Sequence, residues 1–172
     1  MYATYESIDE RPTLRFDRRI AHPVEAVWSG ITSPEELARW FPTRVSGEMR
    51  EHGHLTFTFE EHELAPMEGE VTEFDPPQHF AFWWGEDHLR FELSPAAGGT
   101  ETDLQFTVQL GTADKAARDG AGWHVCLDRL AAVLDGGGEE VFRGVTEGWR
   151  RHYEEYERRG FPASAEIPGA GG

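Results

Sequence analysis

A strongly apolar helical segment near residue 130 constrains the fold of this chain more than any other feature. Read at the helical period, one face of the segment 121–134 collects Trp123, Leu127, Leu130, Ala131 and Leu134. The preceding run, 100–111, alternates as a strand with a single apolar side. A long sheet followed by one apolar helix favours a fold in which the helix lies over the sheet and encloses a cavity.

Size and charge limit the class of protein. The 172 residues fit one domain that can bury a sizeable core, and 32 acidic against 16 basic residues give a net charge of −16. This charge repels phosphate groups, so we expect neither nucleic acid nor a membrane surface as a partner. No apolar run is long enough to span a membrane, and the first residues lack a secretory signal pattern. We therefore expect a cytoplasmic protein, with its one cysteine, Cys126, buried and inert.

The middle of the chain reads as a succession of antiparallel strands. A first strand near residues 14–20 is followed by two short helices, the second of which begins with the capping-box pattern of Ser33 and Glu36. Apolar side chains then alternate with polar ones in six runs, at 43–50, 54–60, 67–74, 80–84, 89–93 and 100–111. Segregated strands and helices of this kind predict the α+β class.

We divide the chain into four parts. Residues 1–11 are polar and are expected to be a flexible N-terminus. The folded domain is predicted over 12–135, and an additional C-terminal helix over 139–158. The tail 160–172, rich in Pro, Ala and Gly, is expected to be disordered.

The predicted C-terminal helix carries an aromatic stripe that does not belong to the domain core. At helical spacing the stripe consists of Phe142, Val145, Trp149, Tyr153 and Tyr156. A stripe this aromatic is not expected to face water freely. It can pack against a second subunit, which predicts a homodimer, or fold back over its own domain; we favour the homodimer and keep self-packing as the alternative.

Four segments in order resemble the START-like, or SRPBCC, superfamily. Within it they resemble the branch of the C-terminal domain of the heat-shock protein 90 ATPase activator. The segments are PVEAVW through PEELARWF (23–41), GEV leading to PP and FAFWW (69–84), TETDL (100–104) and GW through Leu127 and Leu130 (122–130). The resemblance covers about residues 12–135 and implies a helix-grip fold, in which an antiparallel sheet curls around a long C-terminal helix.

The resemblance also carries expectations about function. Members of the superfamily bind lipids, steroids and polyketide-like molecules in the cavity, and a few are cyclases or hydrolases. The branch offers no shared catalytic residues to carry over. The chaperone activator has a separate N-terminal domain, for which this chain is too short, so the resemblance does not extend to that domain.

Aromatic side chains make up the predicted ligand cavity. They are expected to face the space between sheet and helix, where each of them also suits a packed core. The predicted lining consists of Trp40, Phe57, Phe59, Phe82, Trp84, Phe91, Phe106, Trp123 and Leu127. If the core is not fully closed, this lining predicts an apolar pocket for a small hydrophobic or amphipathic molecule.

The histidines raise the question of a metal site. His52 and His54 stand two residues apart, with His62 shortly after, so two imidazoles could share a strand face. Gly53 interrupts them, and no cysteine or repeated spacing completes a ligand set. We expect exposed loop histidines here and predict no metal and no cofactor.

No residue is assigned to catalysis. His124 and Asp128 are helical neighbours, which fits either an exposed stabilising pair or a carboxylate-oriented base. The chain has no G-x-S-x-G turn, and glycines 136–138 lack the Lys-Ser/Thr ending of a phosphate loop.

Three functions follow as hypotheses. The leading one is a START-like module that binds a small hydrophobic molecule. The alternatives are a chaperone-related or stress-related interaction domain without catalysis, and a cavity enzyme of cyclase or hydrolase type.

Overall fold

One antiparallel sheet of eight strands forms the body of the protein. The computed structural model describes residues 1–60, 63–137 and 144–168. The strands are β1 Thr4–Ile8, β2 Arg11–Ile20, β3 Arg44–Gly47, β4 His54–Thr58, β5 Met67–Asp75, β6 His79–Trp84, β7 Asp87–Ala96 and β8 Glu101–Gln109. Their order in the sheet is β1-β2-β8-β7-β6-β5-β4-β3.

Within the described residues, four α-helices complete the fold. They are α1 Val24–Thr32, α2 Pro34–Trp40, α3 Ala116–Leu134 and α4 Glu147–Arg158. The pair α1–α2 carries the chain from β2 to the opposite edge of the sheet, and six consecutive strands then return until β8 pairs with β2. The long helix α3 packs against α1, α2 and β2. The predicted α+β class and helix-grip arrangement are confirmed.

The core lies between the inner face of the sheet and the helices. Side chains alternate along each strand, so residues of like parity meet across strands: Phe91 is in register with Phe106, and Leu89 with Val108. The aromatic rings of Phe91 and Phe106 stack with centroids 4.4 Å apart. Burying residues of this size is the main stabilising contribution to the fold.

The N-terminal segment differs from its prediction. Residues 4–8 form β1, which pairs with β2 through a two-residue turn at Asp9 and Glu10. Both turn residues have positive φ, 51° and 63°, as a type I′ hairpin turn requires. Such turns usually contain glycine, and the absence of glycine here is why the hairpin was not predicted.

The start of α2 also differs. Pro34 occupies the first turn as expected, but the side chain of Ser33 makes no capping bond to the helix backbone. Its hydroxyl donates to the Glu35 carboxylate instead, at 2.9 Å. The predicted capping box is therefore wrong, because a nearer carboxylate engages the serine.

The tail, expected to be disordered, is packed as far as residue 168. Phe161 is buried against Tyr156, with ring centroids 4.8 Å apart. The backbone N–H of Ala117 donates to the carbonyl of Pro162 at 2.9 Å, and that of Ala165 donates to the carbonyl of Asp114 at 3.1 Å. These contacts fasten the tail to the start of α3, which composition alone did not indicate.

The aromatic stripe packs on its own chain. Trp149 and Tyr156 are buried against α3, and Tyr153 stacks on Trp149 with centroids 5.1 Å apart. The Tyr156 ring lies against Gly120, where even a Cβ would make only an ordinary van der Waals contact at 3.4 Å. Phe142 lies outside the described residues. The homodimer stays a prediction, to be checked by light scattering, while self-packing accounts for the described part of the stripe.

Candidate functional site

A cleft of about 220 Å³ opens beside α3, between that helix and the segment leading into α4. Gly122, Cys126 and Arg129 lie along the α3 wall, and Val145 and Trp149 form the opposite wall. These α3 residues recur at helical spacing on a side of the helix that does not face the sheet. Because Gly122 has no side chain, the cleft stays open beside the Trp149 ring.

Two tryptophans close the inner end of the cleft. Trp84, at the end of β6, meets Trp123 of α3 edge to face with ring centroids 5.4 Å apart. The indole N–H of Trp84 points to the hydroxyl of Thr43, 3.4 Å away. Pro42, which follows α2, completes this end. The cleft therefore has an apolar, aromatic floor with few polar groups, as small-molecule sites generally do.

Charged groups stand at the rim. Arg118 donates to the Asp119 carboxylate at 2.8 Å and to the carbonyl of Glu166 at 3.0 Å. Burial raises the pKa of Asp119, and the neighbouring Arg118 and Lys115 partly offset that effect. With Arg129 on the same side, the rim carries charged groups of both signs above an apolar floor. This combination suits a molecule that is apolar at one end and polar at the other.

The nine residues predicted to line a cavity separate into three groups. Trp84 and Trp123 line the cleft. Phe59 follows β4 and is half-buried. The rest lie in the packed core rather than on a cavity surface, each at most 3% exposed: Trp40, Phe57, Phe82, Phe91, Phe106 and Leu127.

The core is closed because the aromatic rings fill it. Phe57 stacks on Phe82 at 5.8 Å between centroids, and Trp40 meets Phe91 edge to face at 6.2 Å. The indole N–H of Trp40 donates to the carbonyl of Gly30 at 2.8 Å, which satisfies its one polar group. Six of the nine residues therefore fill the space between sheet and helix, and Trp84 and Trp123 border the cleft at the side of α3.

Part of the cleft was not anticipated as a site. Val145 and Trp149 belong to the predicted apolar stripe, but the sequence does not predict that they form a cleft wall. It does not predict the remaining cleft residues Pro42, Arg118, Asp119 and Arg129 either. The available signal was the small residue Gly122 one helical turn from Cys126, opposite an aromatic stripe. Small residues at helical spacing mark a face where another element approaches closely or leaves a gap.

His124 is neither an exposed partner of Asp128 nor a base in the cleft. It is 5% exposed, its Nδ1 lies 3.0 Å from the Tyr156 hydroxyl, and its ring stacks on His152 with centroids 3.8 Å apart. The Asp128 carboxylate is 3.9 Å from its Nε2. Burial, and then the charges of His152 and Arg18, lower the pKa of His124 to about 3.

Of the histidines first considered for a metal, His52 and His54 are exposed as predicted, although His54 begins β4 and does not lie in a loop. The His52 ring lies 3.1 Å from the Glu70 carboxylate, and His54 pairs with Glu68 across β4 and β5. Each is accounted for by an exposed carboxylate partner. His62 lies outside the described residues.

The pKa of His124 predicts how the stability of metal-free protein depends on pH. The unfolded chain takes up a proton near pH 6.5, whereas the folded chain resists it down to about pH 3. The contribution of His124 to the free energy of unfolding is therefore fully present above pH 6.5. It falls as the pH drops below that value, by about 1.4 kcal/mol per pH unit.

Urea unfolding in the presence of a chelator, between pH 7 and 4, measures this slope. In His124→Asn the slope should be shallower by that amount, since carboxylate titration is common to both proteins. Identical slopes in the two proteins would show that His124 does not titrate in this way.

Comparison with known proteins places the chain in a family. The fold is the START-like helix grip, and the family model for Activator of Hsp90 ATPase homolog 1-like protein matches residues 21–135. That match spans 115 of the 172 residues. The chain belongs to this family. None of the curated proteins compared with the sequence matches it.

Several solved structures share the fold. A conserved Enterococcus faecalis protein of unknown function, EF2215, has 19% identity and a TM-score of 0.72, with 91% of this chain and 89% of that one covered. CalU16 from Micromonospora echinospora has 22% identity and a TM-score of 0.69, with 91% and 92% covered. DynU16, a putative protein in the dynemicin biosynthetic locus, has 23% identity and a TM-score of 0.65, with 75% and 49% covered. Among the described residues, no helix is long and apolar enough to cross a membrane.

Proposed function

We propose that this protein binds a small hydrophobic or amphipathic molecule in the cleft beside α3. The observation that carries the proposal is the convergence of Trp84, Trp123 and Trp149 on an open space. Two of these rings meet edge to face, and the third is held by Tyr153. The half-buried Trp84 ring leaves aromatic surface available to a ligand, while the buried rings of Trp123 and Trp149 form fixed walls.

The dimensions of the cleft limit the ligand. A cavity of about 150 Å³ accommodates benzene, so about 220 Å³ suits a molecule of one or two rings that extends partly into solvent. The charged groups at the rim, Arg118, Asp119 and Arg129, favour a polar group at the outer end of the ligand. The dynemicin locus named for DynU16 is a small-molecule context, and it supports the proposal only through the shared fold.

The alternatives make different predictions. A chaperone-related interaction domain needs no small molecule, and a cavity enzyme needs a reactive group at the cleft. The polar groups of Arg118 and Asp119 are already engaged with each other. Native mass spectrometry of the purified protein tests for binding, because a co-purifying molecule supports it. Turnover of an added ester or cyclisable substrate would support catalysis instead. A cytoplasmic location remains part of the proposal.

Filling the cleft should weaken binding. Gly122→Leu places a side chain beside the Trp149 indole, where a Cβ alone already comes within 3.8 Å. With 8-anilinonaphthalene-1-sulfonate as the probe, we expect the affinity for the probe to fall about tenfold or more. Tenfold corresponds to about 1.4 kcal/mol of binding free energy.

Ala132→Leu is the matched control, because Ala132 is exposed on the same helix away from the cleft. It should bind the probe as the wild type does. Equal binding by all three proteins would place the probe site elsewhere and contradict the proposal.

A further inference from the structure

A second group of side chains lies at the α3–α4 contact, on a different face of α3 from the cleft. His124 and Asp128 come from α3 and His152 from α4, and one ligand atom of each lies within 4.8 Å of the others. The distances to the Asp128 carboxylate are 3.9 Å from His124 Nε2 and 4.0 Å from His152 Nε2. We propose that these three residues bind a divalent transition-metal ion, with zinc as the representative ion.

The other ring nitrogen of each histidine already has a partner. His124 Nδ1 lies 3.0 Å from the Tyr156 hydroxyl, and His152 Nδ1 lies 3.3 Å from the Tyr2 hydroxyl. Histidine ligands in metal sites usually hold such a second hydrogen bond, which fixes the ring and the tautomer. Both Nε2 atoms are therefore left on the side of Asp128, as a two-histidine, one-carboxylate site requires.

Metal binding at Nε2 fixes the tautomer of His124. Coordination at Nε2 requires the proton of His124 to be on Nδ1, which then donates to the Tyr156 hydroxyl oxygen. That oxygen also accepts the backbone N–H of Ala3 at 3.0 Å, and burial raises the pKa of Tyr156 to about 12, so the phenol stays protonated. Burial also lowers the pKa of both histidines, which keeps the imidazoles neutral and able to bind.

Binding requires the two imidazole rings, which stack with centroids 3.8 Å apart and 20° between their planes, to tilt until both Nε2 lone pairs point at the ion. Zinc ligands at about 2.0–2.1 Å in a tetrahedral site lie about 3.4 Å from one another. The Asp128 side chain is 59% exposed and can approach by several tenths of an ångström through side-chain rotation. Three protein ligands at an exposed edge leave a fourth position for water. Nitrogen and carboxylate ligands favour zinc and its neighbours over calcium or magnesium.

Nearby positive charge makes the carboxylate essential. The charge of Arg18 acts on both histidines, and the Arg159 guanidinium lies over the Tyr2 ring at 4.4 Å. A dication at the two imidazoles alone would be repelled. Asp128 supplies the compensating negative charge, so its loss should weaken binding at least as much as the loss of His152.

Titration of untagged full-length protein with zinc tests the proposal. We expect saturable uptake of one zinc ion per chain, weakened about tenfold or more in His152→Asn and in Asp128→Asn. With cobalt as probe, the wild type should show the intense visible bands of a four-coordinate ion. Tyr156→Phe, which removes the partner of His124, should weaken binding while leaving the ligands in place. Thermal melts in chelator establish that each variant is folded.

His54→Asn is the matched control, since His54 is also paired with a carboxylate but stands outside the cluster. It should bind zinc as the wild type does. No saturable uptake at micromolar zinc, unchanged affinity in His152→Asn, or loss of binding in His54→Asn would each overturn the proposal. The titration of the cleft with 8-anilinonaphthalene-1-sulfonate is carried out with chelator present. Failure of either proposal therefore leaves the other untouched.

Discussion

Replacing Asp87 by alanine should cost about 3–5 kcal/mol of the free energy of unfolding, the usual effect of breaking a buried ion pair. Asp87 begins β7 and is 2% exposed. Its carboxylate accepts from the Lys115 ammonium at 2.6 and 2.8 Å and from the backbone N–H of Gly111 at 2.8 Å. One side chain thus joins the start of β7, the end of β8 and the start of α3. Without it, the Gly111 N–H loses its partner, and the Lys115 ammonium keeps only the more distant Asp119 carboxylate, 3.6 Å away.

Urea unfolding measures this loss. The matched control is Asp114→Ala, because Asp114 is exposed in the same connection before α3 and should change stability by less than about 0.5 kcal/mol. Lys115→Met should cost a comparable amount, since it leaves the 2% exposed Asp87 carboxylate buried without its counterion. If Asp87→Ala is as stable as the control, the network does not hold α3 to the sheet.

Most of the sheet could be predicted because its pattern is local. In β4, Leu55 and Phe57 alternate with Thr56 and Thr58, and every one of the six predicted central strands is present. The apolar face of α3 was equally clear, with Trp123, Leu127 and Leu130 all buried. The periods of 2 residues in strands and 3.6 residues in helices are visible in the sequence because one side of each element faces solvent.

The elements that were missed depend on contacts between distant residues. β1 is held by pairing with β2 and by the bond from the Ala3 N–H to the hydroxyl of Tyr156, 153 residues away. The tail is held by backbone bonds to the residues flanking the start of α3. Neither leaves a periodic signal in its own segment.

The site was predicted only in part for a related reason. An inward-facing aromatic residue has the same sequence pattern whether it fills a core or lines a cavity. Phe82 and Trp84 alternate on one face of β6, yet Phe82 is 1% exposed in the core and Trp84 lines the cleft. The difference lies in what stands opposite: Phe57 and Phe91 surround Phe82, whereas Trp84 lies at the strand end beside α3. Volume filling decides the outcome, and it is a property of the assembled fold.

Replacing Trp123 by alanine should cost about 3–5 kcal/mol of the free energy of unfolding, as for other buried tryptophans. The Trp123 side chain, 3% exposed, contacts the rings of Phe41, Trp84 and Phe106 at centroid distances of 5.2 to 5.5 Å. It is the point at which α3, the end of α2 and two strands meet. Truncation removes its burial and leaves a cavity continuous with the cleft.

Trp83→Ala is the matched control for this measurement. Trp83 is half-buried on the opposite face of β6, where it contacts His88 and the guanidinium of Arg11. Its loss should cost clearly less than that of Trp123, on the order of 1 kcal/mol. Because the Trp123→Ala cavity opens into the cleft, a small apolar compound such as indole should bind there and restore part of the lost stability by mass action. Equal losses in the two variants, with no rescue by indole, would show that Trp123 neither anchors α3 nor borders a space that a ligand can enter.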